Sequence, residues 1–288
     1  MKRLVILSGK GGTGKTTVAG ALIGLSKAKA YADCDVDAPN LHLIISQKAE
    51  PKKTDFYGMQ KAEISQDICT KCGLCKVKCR FDAIKNQNGK YFVDMFSCEG
   101  CGVCETFCPV NAIELHKNIA GELFLYHGNS VFSTAKLKMG SGTSGKLVTE
   151  VKKQLSQALN DEKLAIIDGS PGIGCPVIAS LSGADAVLIV AEPSVSGISD
   201  MERIIHTAKH FGVKIAVCVN KYDTNEANTK RIEKFCKQNR LPFVGKIPYD
   251  INAQKAINQG KTIAEVDCSS GDAVKKIYNE IKKIIFEN

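Results

Sequence analysis

The chain has 288 residues, of which 44% are hydrophobic and 24% charged, the balance of a globular protein with room for one large core and a small extra unit. It has no tryptophan and no run of about 18 or more apolar residues, so a membrane-crossing helix is not expected. The formal charge of +9 is spread over scattered lysines; this is the pattern of a solvated surface, so peripheral contact with a membrane or DNA is not favoured.

Met1–Ser8 has a basic start and an apolar stretch, as a signal peptide does, but the stretch runs straight into a Gly-Lys loop. It therefore predicts a buried first strand over 3–8 and, with nothing pointing to export, a cytoplasmic protein. A helix is expected over 15–28 and a second strand over 30–33, ending in Asp33-Cys34-Asp35-Val36-Asp37-Ala38-Pro39-Asn40. The polar stretch 46–56 marks a boundary, a cysteine-rich region runs from about 60 to 117, and Glu122 to Tyr126 is β-like. After a Gly/Ser-rich loop over 140–145, the pattern becomes α/β alternation. Helices are expected over 145–159, 198–211, 226–238 and 271–286, and strands over 164–168, 186–191, 214–219 and 243–247. Continuously apolar strands separated by helical crossovers predict an α/β fold with a doubly wound, mostly parallel sheet covered on both faces. Residues 1–58 and 118–288 form this domain, and 59–117 form a small α+β insertion.

Gly9-Lys10-Gly11-Gly12-Thr13-Gly14-Lys15-Thr16-Thr17 lies directly after a strand and opens a helix. Such glycines let backbone amides curve around phosphate oxygens, Lys15 reaches the β- and γ-phosphates, and the Thr16 hydroxyl is placed to ligate Mg²⁺. With Lys10 included, the loop resembles the deviant Walker A of the MinD/ParA/Mrp/nitrogenase-iron-protein class of ATPases. That resemblance implies an ATP-hydrolysing homodimer in which Lys10 reaches across a nucleotide sandwich to the partner's phosphates. It further implies that Asp33 holds Mg²⁺ through water, that Asp35 orients the attacking water, and that Asp168-Gly169-Ser170-Pro171-Gly172 is the second switch, with Asp168 at the metal. Asn220-Lys221-Tyr222-Asp223 follows a strand and also matches the guanine-reading signature of GTPases. In the resembling class an asparagine there contacts adenine, helped by a later loop such as Pro248-Tyr249-Asp250, and the Lys10 signature favours ATP.

Thirteen cysteines in a chain without export signals point to metal rather than disulfides. Eight form two quartets, Cys69-x2-Cys72-x2-Cys75-x3-Cys79 and Cys98-x2-Cys101-x2-Cys104-x3-Cys108-Pro109. Residues 68–84 align with 97–113 at an offset of 29, keeping all four cysteines, a glycine and the Ala-Ile that follows. Arg80 stands where the second copy has Pro109, and Asn88-Gly89 suits a hairpin turn between the copies. The repeat resembles the bacterial two-[4Fe–4S] ferredoxin. The resemblance implies one cluster on Cys69, Cys72, Cys75 and Cys108, and another on Cys98, Cys101, Cys104 and Cys79. Zinc binding and a purely structural staple are the alternatives.

Cys218 is expected in the core. Cys175, seven residues after Asp168, falls at the offset of a bridging-cluster ligand of the nitrogenase iron protein, but the second ligand motif of that protein is not recognisable, and a plain packed cysteine is expected. His206 and His210 are expected to be amphipathic placement on a helix, and the C-terminal helix to pack on the sheet in preference to anchoring at a membrane. The expected function is an ATPase whose dimer cycle gates electron transfer through two clusters to an unidentified redox partner. A cluster carrier of the Mrp kind, a positioning ATPase of the MinD or ParA kind with redox sensing, and a nucleotide-binding module without hydrolysis are the alternatives.

Overall fold

The computed structural model describes residues 1–47, 49–159 and 161–287. In chain order the first elements are β1 (Lys2–Leu7), α1 (Lys15–Ser26), β2 (Ala30–Asp33), β3 (Lys52–Tyr57), β4 (Lys61–Ile64) and α2 (Leu74–Lys78). β5 (Ile84–Gln87), β6 (Lys90–Val93), α3 (Val103–Thr106), β7 (Ile113–His116), β8 (Ile119–His127) and β9 (Val131–Leu137) follow. Then come α4 (Ser144–Gln157), β10 (Leu164–Asp168), α5 (Cys175–Leu181), β11 (Ala186–Ala191) and α6 (Val195–His210). The chain ends with β12 (Lys214–Asn220), α7 (Glu226–Gln238), β13 (Phe243–Ile247), α8 (Ile251–Asn258) and α9 (Ser269–Phe286). These residues divide into two compact units: Met1–Lys53, Leu123–Lys136 and Ser144–Asn288 make the first, Thr54–Glu122 and Leu137–Thr143 the second.

The strands run in the order β13-β12-β11-β1-β10-β2-β9-β8-β3, and every pair from β13 to β9 is parallel. Leu4 to Leu7, Ala186 to Ala191 and Val217 to Val219 are buried along their whole length, because helices on both faces leave these strands no wet side. α1 buries Val18, Ala19, Leu22 and Ile23. α9 turns Val274, Ile277, Ile281 and Ile285 into the same core, each such side chain contributing about 1.5–3 kcal/mol. The C-terminal helix therefore packs on the sheet, and among the described residues no helix is long and apolar enough to cross a membrane.

Four elements depart from the sequence expectations. The stretch 46–56, expected as a polar boundary, enters strand β3 at Lys52, with only Phe56 buried along its length. β9 was not expected, because Ser133 and Thr134 interrupt its apolar pattern. They are nevertheless buried, and the Ser133 hydroxyl donates to the Val151 carbonyl at 2.7 Å while accepting from Gln154 Nε2 at 2.8 Å. That satisfied hydroxyl lets Ala30–Asp33 pair with Val131–Thr134. α5 and α8, at 7 and 8 residues, are too short for a periodic apolar signal.

In the second unit β4 pairs with β7, and β5 with β6, both antiparallel. Asn88 and Gly89 adopt φ of 52° and 77° at the tip of the β5–β6 hairpin, the left-handed pair that a two-residue turn demands. α2 and α3 each start after a left-handed glycine, Gly73 and Gly102. Ala62, Ile64, Ala83, Ile84 and Ile113 make a small core into which Cys69, Cys75, Cys79, Cys98, Cys104 and Cys108 pack.

Candidate functional site

β1 delivers the chain into a loop whose Gly12 and Gly14 hold φ of 80° and 91°, a region costly for any other residue. Two close approaches reinforce the choice: a Cβ on Gly9 would lie 2.1 Å from Asp200 Cβ, and one on Gly14 would lie 2.2 Å from Asn220 Nδ2. α1 opens at Lys15 with no side chain capping it, so its first amides, Thr16 and Thr17 among them, remain donors for an anion. Gly11 leaves open space above the loop, and the Thr13 hydroxyl is buried without a partner.

Register brings the carboxylates to this loop. Asp33 and Asp168 are Cα partners on neighbouring β2 and β10, and Asp168 pairs with Ile6 of β1, so both end at the carboxyl edge of the sheet, where open α/β sheets bind ligands. The Lys15 ammonium lies 2.6 Å from Asp168 Oδ1, 4.0 Å from Asp35 Oδ2 and 3.5 Å from Thr16 Oγ1. Burial alone would push its pKa down, but Asp168, Asp33 and Asp35 more than offset this and raise it. Asp33 accepts amides from Asp35 at 3.0 Å and from Asn40 and Leu41 at 2.9 Å each, wrapping the segment that follows β2 around its own carboxylate. Burial, then the neighbouring Asp168 charge, pushes Asp33 up to about 7, and burial raises Asp35 as well.

A buried acid with a raised pKa binds protons in the folded chain that the unfolded chain has already released. Between about pH 4 and pH 7, stability is therefore expected to fall as pH rises, by roughly 1.4 kcal/mol per pH unit from this one group. Urea unfolding across that range should show a shallower slope for Asp33→Asn than for the parent. Equal slopes would place the buried proton elsewhere.

Asp168 Oδ2 is buried with no partner, an orphan that a cation or its water would satisfy. Among the described residues no three His, Cys, Asp or Glu side chains are close enough to enclose a metal ion by themselves. Mg²⁺ normally takes one or two carboxylates and completes its shell with water and phosphate oxygens, so Thr16, Asp33 and Asp168 fit that ion as a partial set.

Sequence reading missed Glu192. It is the first residue after β11, at the same carboxyl edge, and that position was the available signal. Its carboxylate lies 2.6 Å from Lys10 Nζ and 4.0 Å from Lys221 Nζ, and Lys10 also donates to Ser194 Oγ at 3.3 Å. Asn220, at the end of β12, donates to the Thr13 carbonyl at 2.6 Å, and Lys221 donates to the Gly12 carbonyl at 3.1 Å. The Asn-Lys pair thus buttresses the phosphate loop. Asp223 accepts the Tyr249 amide at 2.8 Å, tying down the loop of Pro248 and Asp250. Asp250 caps α8 through the Asn252 amide at 2.9 Å and accepts from Ser269 Oγ at 2.9 Å and the Ser270 amide at 3.1 Å. With these bonds its carboxylate is already engaged within the chain.

In the second unit the thiols gather around two cavities. Cys69, Cys72, Cys75 and Cys108 line one; Cys79, Cys98, Cys101 and Cys104 line the other. The last cysteine of each quartet thus stands with the first three of the other. Backbone amides approach sulfur at Cys69, from Lys71 at 3.4 Å, and at Cys108, from Ala112 at 3.2 Å. Lys61 donates to the Cys98 carbonyl. A Cβ on Gly100 would lie 2.0 Å from the Gln60 carbonyl oxygen, so the second quartet's turn admits only glycine there. Cys175 is exposed at the start of α5 and Cys218 is fully buried in β12. The His206 and His210 rings meet edge to face at 4.8 Å.

A glycine phosphate loop between β1 and α1, with aspartates closing the neighbouring parallel strands, defines a P-loop nucleoside triphosphatase. Residues 4–263 match the CobQ/CobB/MinD/ParA nucleotide-binding domain, and the chain belongs to that family of ATP-binding P-loop ATPases. An uncharacterised protein of Methanocaldococcus jannaschii is 32% identical over 290 residues, covering 98% of this chain and 97% of that one. The iron–sulfur cluster carrier protein of the same organism is 25% identical over 297 residues, 97% of this chain and 83% of its own. Among solved structures, the cell division ATPase MinD of Pyrococcus furiosus superposes with a TM-score of 0.58 at 18% identity, covering 98% of this chain and 99% of that one. MinD of Pyrococcus horikoshii, solved with Mg-ADP, gives the same score and identity over 98% and 96%. At these identities the structural likeness establishes the fold.

Proposed function

We propose that the protein binds and hydrolyses ATP as a homodimer, and that this cycle is coupled to electron transfer through two [4Fe–4S] clusters held by an inserted ferredoxin-like domain. The observation that carries the reading is the exchange of cysteines between the two cavities. A cubane takes four thiolates, and four cysteines line each cavity, which supports this reading. The clusters, when bound, supply one-electron carriers.

In the ATPase unit, Lys15 and the loop amides hold the phosphates, Thr16, Asp33 and Asp168 position Mg²⁺, and Asp35 orients the attacking water. Mg²⁺, when bound, neutralises developing phosphate charge. Lys10 rests on Glu192 in the single chain and is released to the partner's phosphates on dimerisation. The chain leaves the ATPase unit after Asp33 and Asp35 and is back in it before Asp168. Segments that respond to the γ-phosphate therefore flank the thiol unit in sequence, which supports coupling.

Anaerobic purification with iron and acid-labile sulfide counts tests the cofactors, with about eight iron per chain expected for two cubanes. ATPase rates with the clusters oxidised and reduced test the coupling: different rates are expected, identical rates would end it, and absent hydrolysis would reduce the site to a binding module. The likeness to a cluster carrier supports a second reading, in which the protein delivers clusters. Labile iron beyond the two cubanes, transferred to an apo acceptor, would favour it.

A further inference from the structure

The two cysteine repeats have diverged in charge. From Ile68 to Phe81 the chain carries Lys71, Lys76, Lys78 and Arg80 and no acid, whereas the equivalent stretch from Ser97 to Val110 carries Glu99 and Glu105 and no base. Metal binding makes the same demand of both copies, so it does not account for the difference.

Exposed apolar side chains alternate with these cations in sequence. Val77 on α2 is 81% exposed, Phe81 46% and Phe107 48%, and the Lys78 ammonium lies 5.0 Å from the Phe107 ring centre, joining the end of α2 to α3. The nearby acids are engaged elsewhere: Asp82 pairs with Lys85 at 2.6 Å, and Glu105 accepts the Leu115 amide at 3.1 Å. Among the described residues, none of the four cations is in an ion pair. Phe81 and Cys79 also line the cavity of Cys98, Cys101 and Cys104, and Cys101 is exposed.

We propose that the segment Leu74–Phe81 docks an acidic electron-transfer protein, with Val77 and Phe81 as apolar contacts among the cations of the same segment, next to the cavity that contains Cys79. Opposed charge steers encounter and sets orientation, while a desolvated apolar centre supplies residence time. Nucleic acid or an anionic membrane would answer to the cations alone. The apolar knob and the adjoining thiols favour a redox protein. The inference rests on the cluster reading of the thiol unit.

The test uses the full-length chain, purified anaerobically, with an acidic flavodoxin as probe and calorimetric titration as readout. Association is expected at low salt, weakening as salt rises. It should weaken at least about tenfold further in Lys76→Glu/Lys78→Glu/Arg80→Glu, with iron content and ATP turnover unchanged. The neutral triple variant, Lys76→Gln/Lys78→Gln/Arg80→Gln, should lie between, which separates lost docking from a disturbed helix. No association at low salt, or equal binding by parent and charge-reversed chains, overturns the proposal. So does a triple reversal that abolishes binding to duplex DNA or anionic vesicles and leaves flavodoxin binding intact. Docking by a chain found to contain no iron would uphold the surface and remove the relay, whereas an iron-loaded chain that fails to dock would do the reverse.

Discussion

Lys15→Ala is expected to lower ATP turnover by about 10²–10³-fold or more, the usual cost of removing one preorganised charge from a reacting oxygen. It should also destabilise the protein without nucleotide, which a purely catalytic lysine would not do. Lys15 is 5% exposed and its ammonium lies 2.6 Å from the fully buried Asp168. Removing one member of a buried ion pair typically costs about 3–5 kcal/mol, because the other charge is left without compensation. Here three aspartates share the loss, since Asp33 and Asp35 also feel this cation. Without it Asp33 and Asp35, already raised by burial, are pushed higher still, so the folded chain holds protons that the unfolded chain releases. The deficit therefore grows as pH rises from 6 to 8. Urea unfolding of parent and variant at both pH values measures it. A variant as stable as the parent at pH 8 would show that the pair contributes nothing. Lys15→Arg restores charge but not size and should regain part of the stability with little turnover.

Cys79→Ala is expected to remove the cluster shared with Cys98, Cys101 and Cys104, and to spare the one beside its own sequence neighbours. Iron should fall from about eight to about four per chain. Cys108→Ala should produce the mirror loss, and the electron paramagnetic resonance of the reduced variants tells which cluster remains. Each thiol also packs in the small core of the second unit, which is too slight to be robust unaided. Both variants should therefore unfold at lower temperature than the parent. Loss of the Cys69 cluster on mutating Cys79 would overturn the exchange.

Helix α7 and strands β10, β11 and β13 run over the residues that the sequence pattern predicts, because each is long, periodic or continuously apolar and ends at polar or turn-forming residues. β9 escaped because Ser133 and Thr134 look like loop residues, and the buried Ser133 hydroxyl is satisfied only by Gln154 and the Val151 carbonyl, which the fold brings beside it. Asn220 and Asp250, expected to contact the base, also join separated parts of the chain: their hydrogen bonds run to Thr13 and to the starts of α8 and α9. A polar side chain near a site has many partners to choose from, and only the packed chain selects among them.

By itself, the sequence determined the family, the phosphate loop and the two thiol quartets, because each depends on residues at fixed short spacing, whose chemistry is local. The tertiary structure alone decided which separated side chains meet. Parallel register puts Asp33 beside Asp168, and Asp168 against Lys15; Glu192 holds Lys10. Those pairings join residues far apart in the chain, and they follow from strand order and burial, which no local spacing encodes.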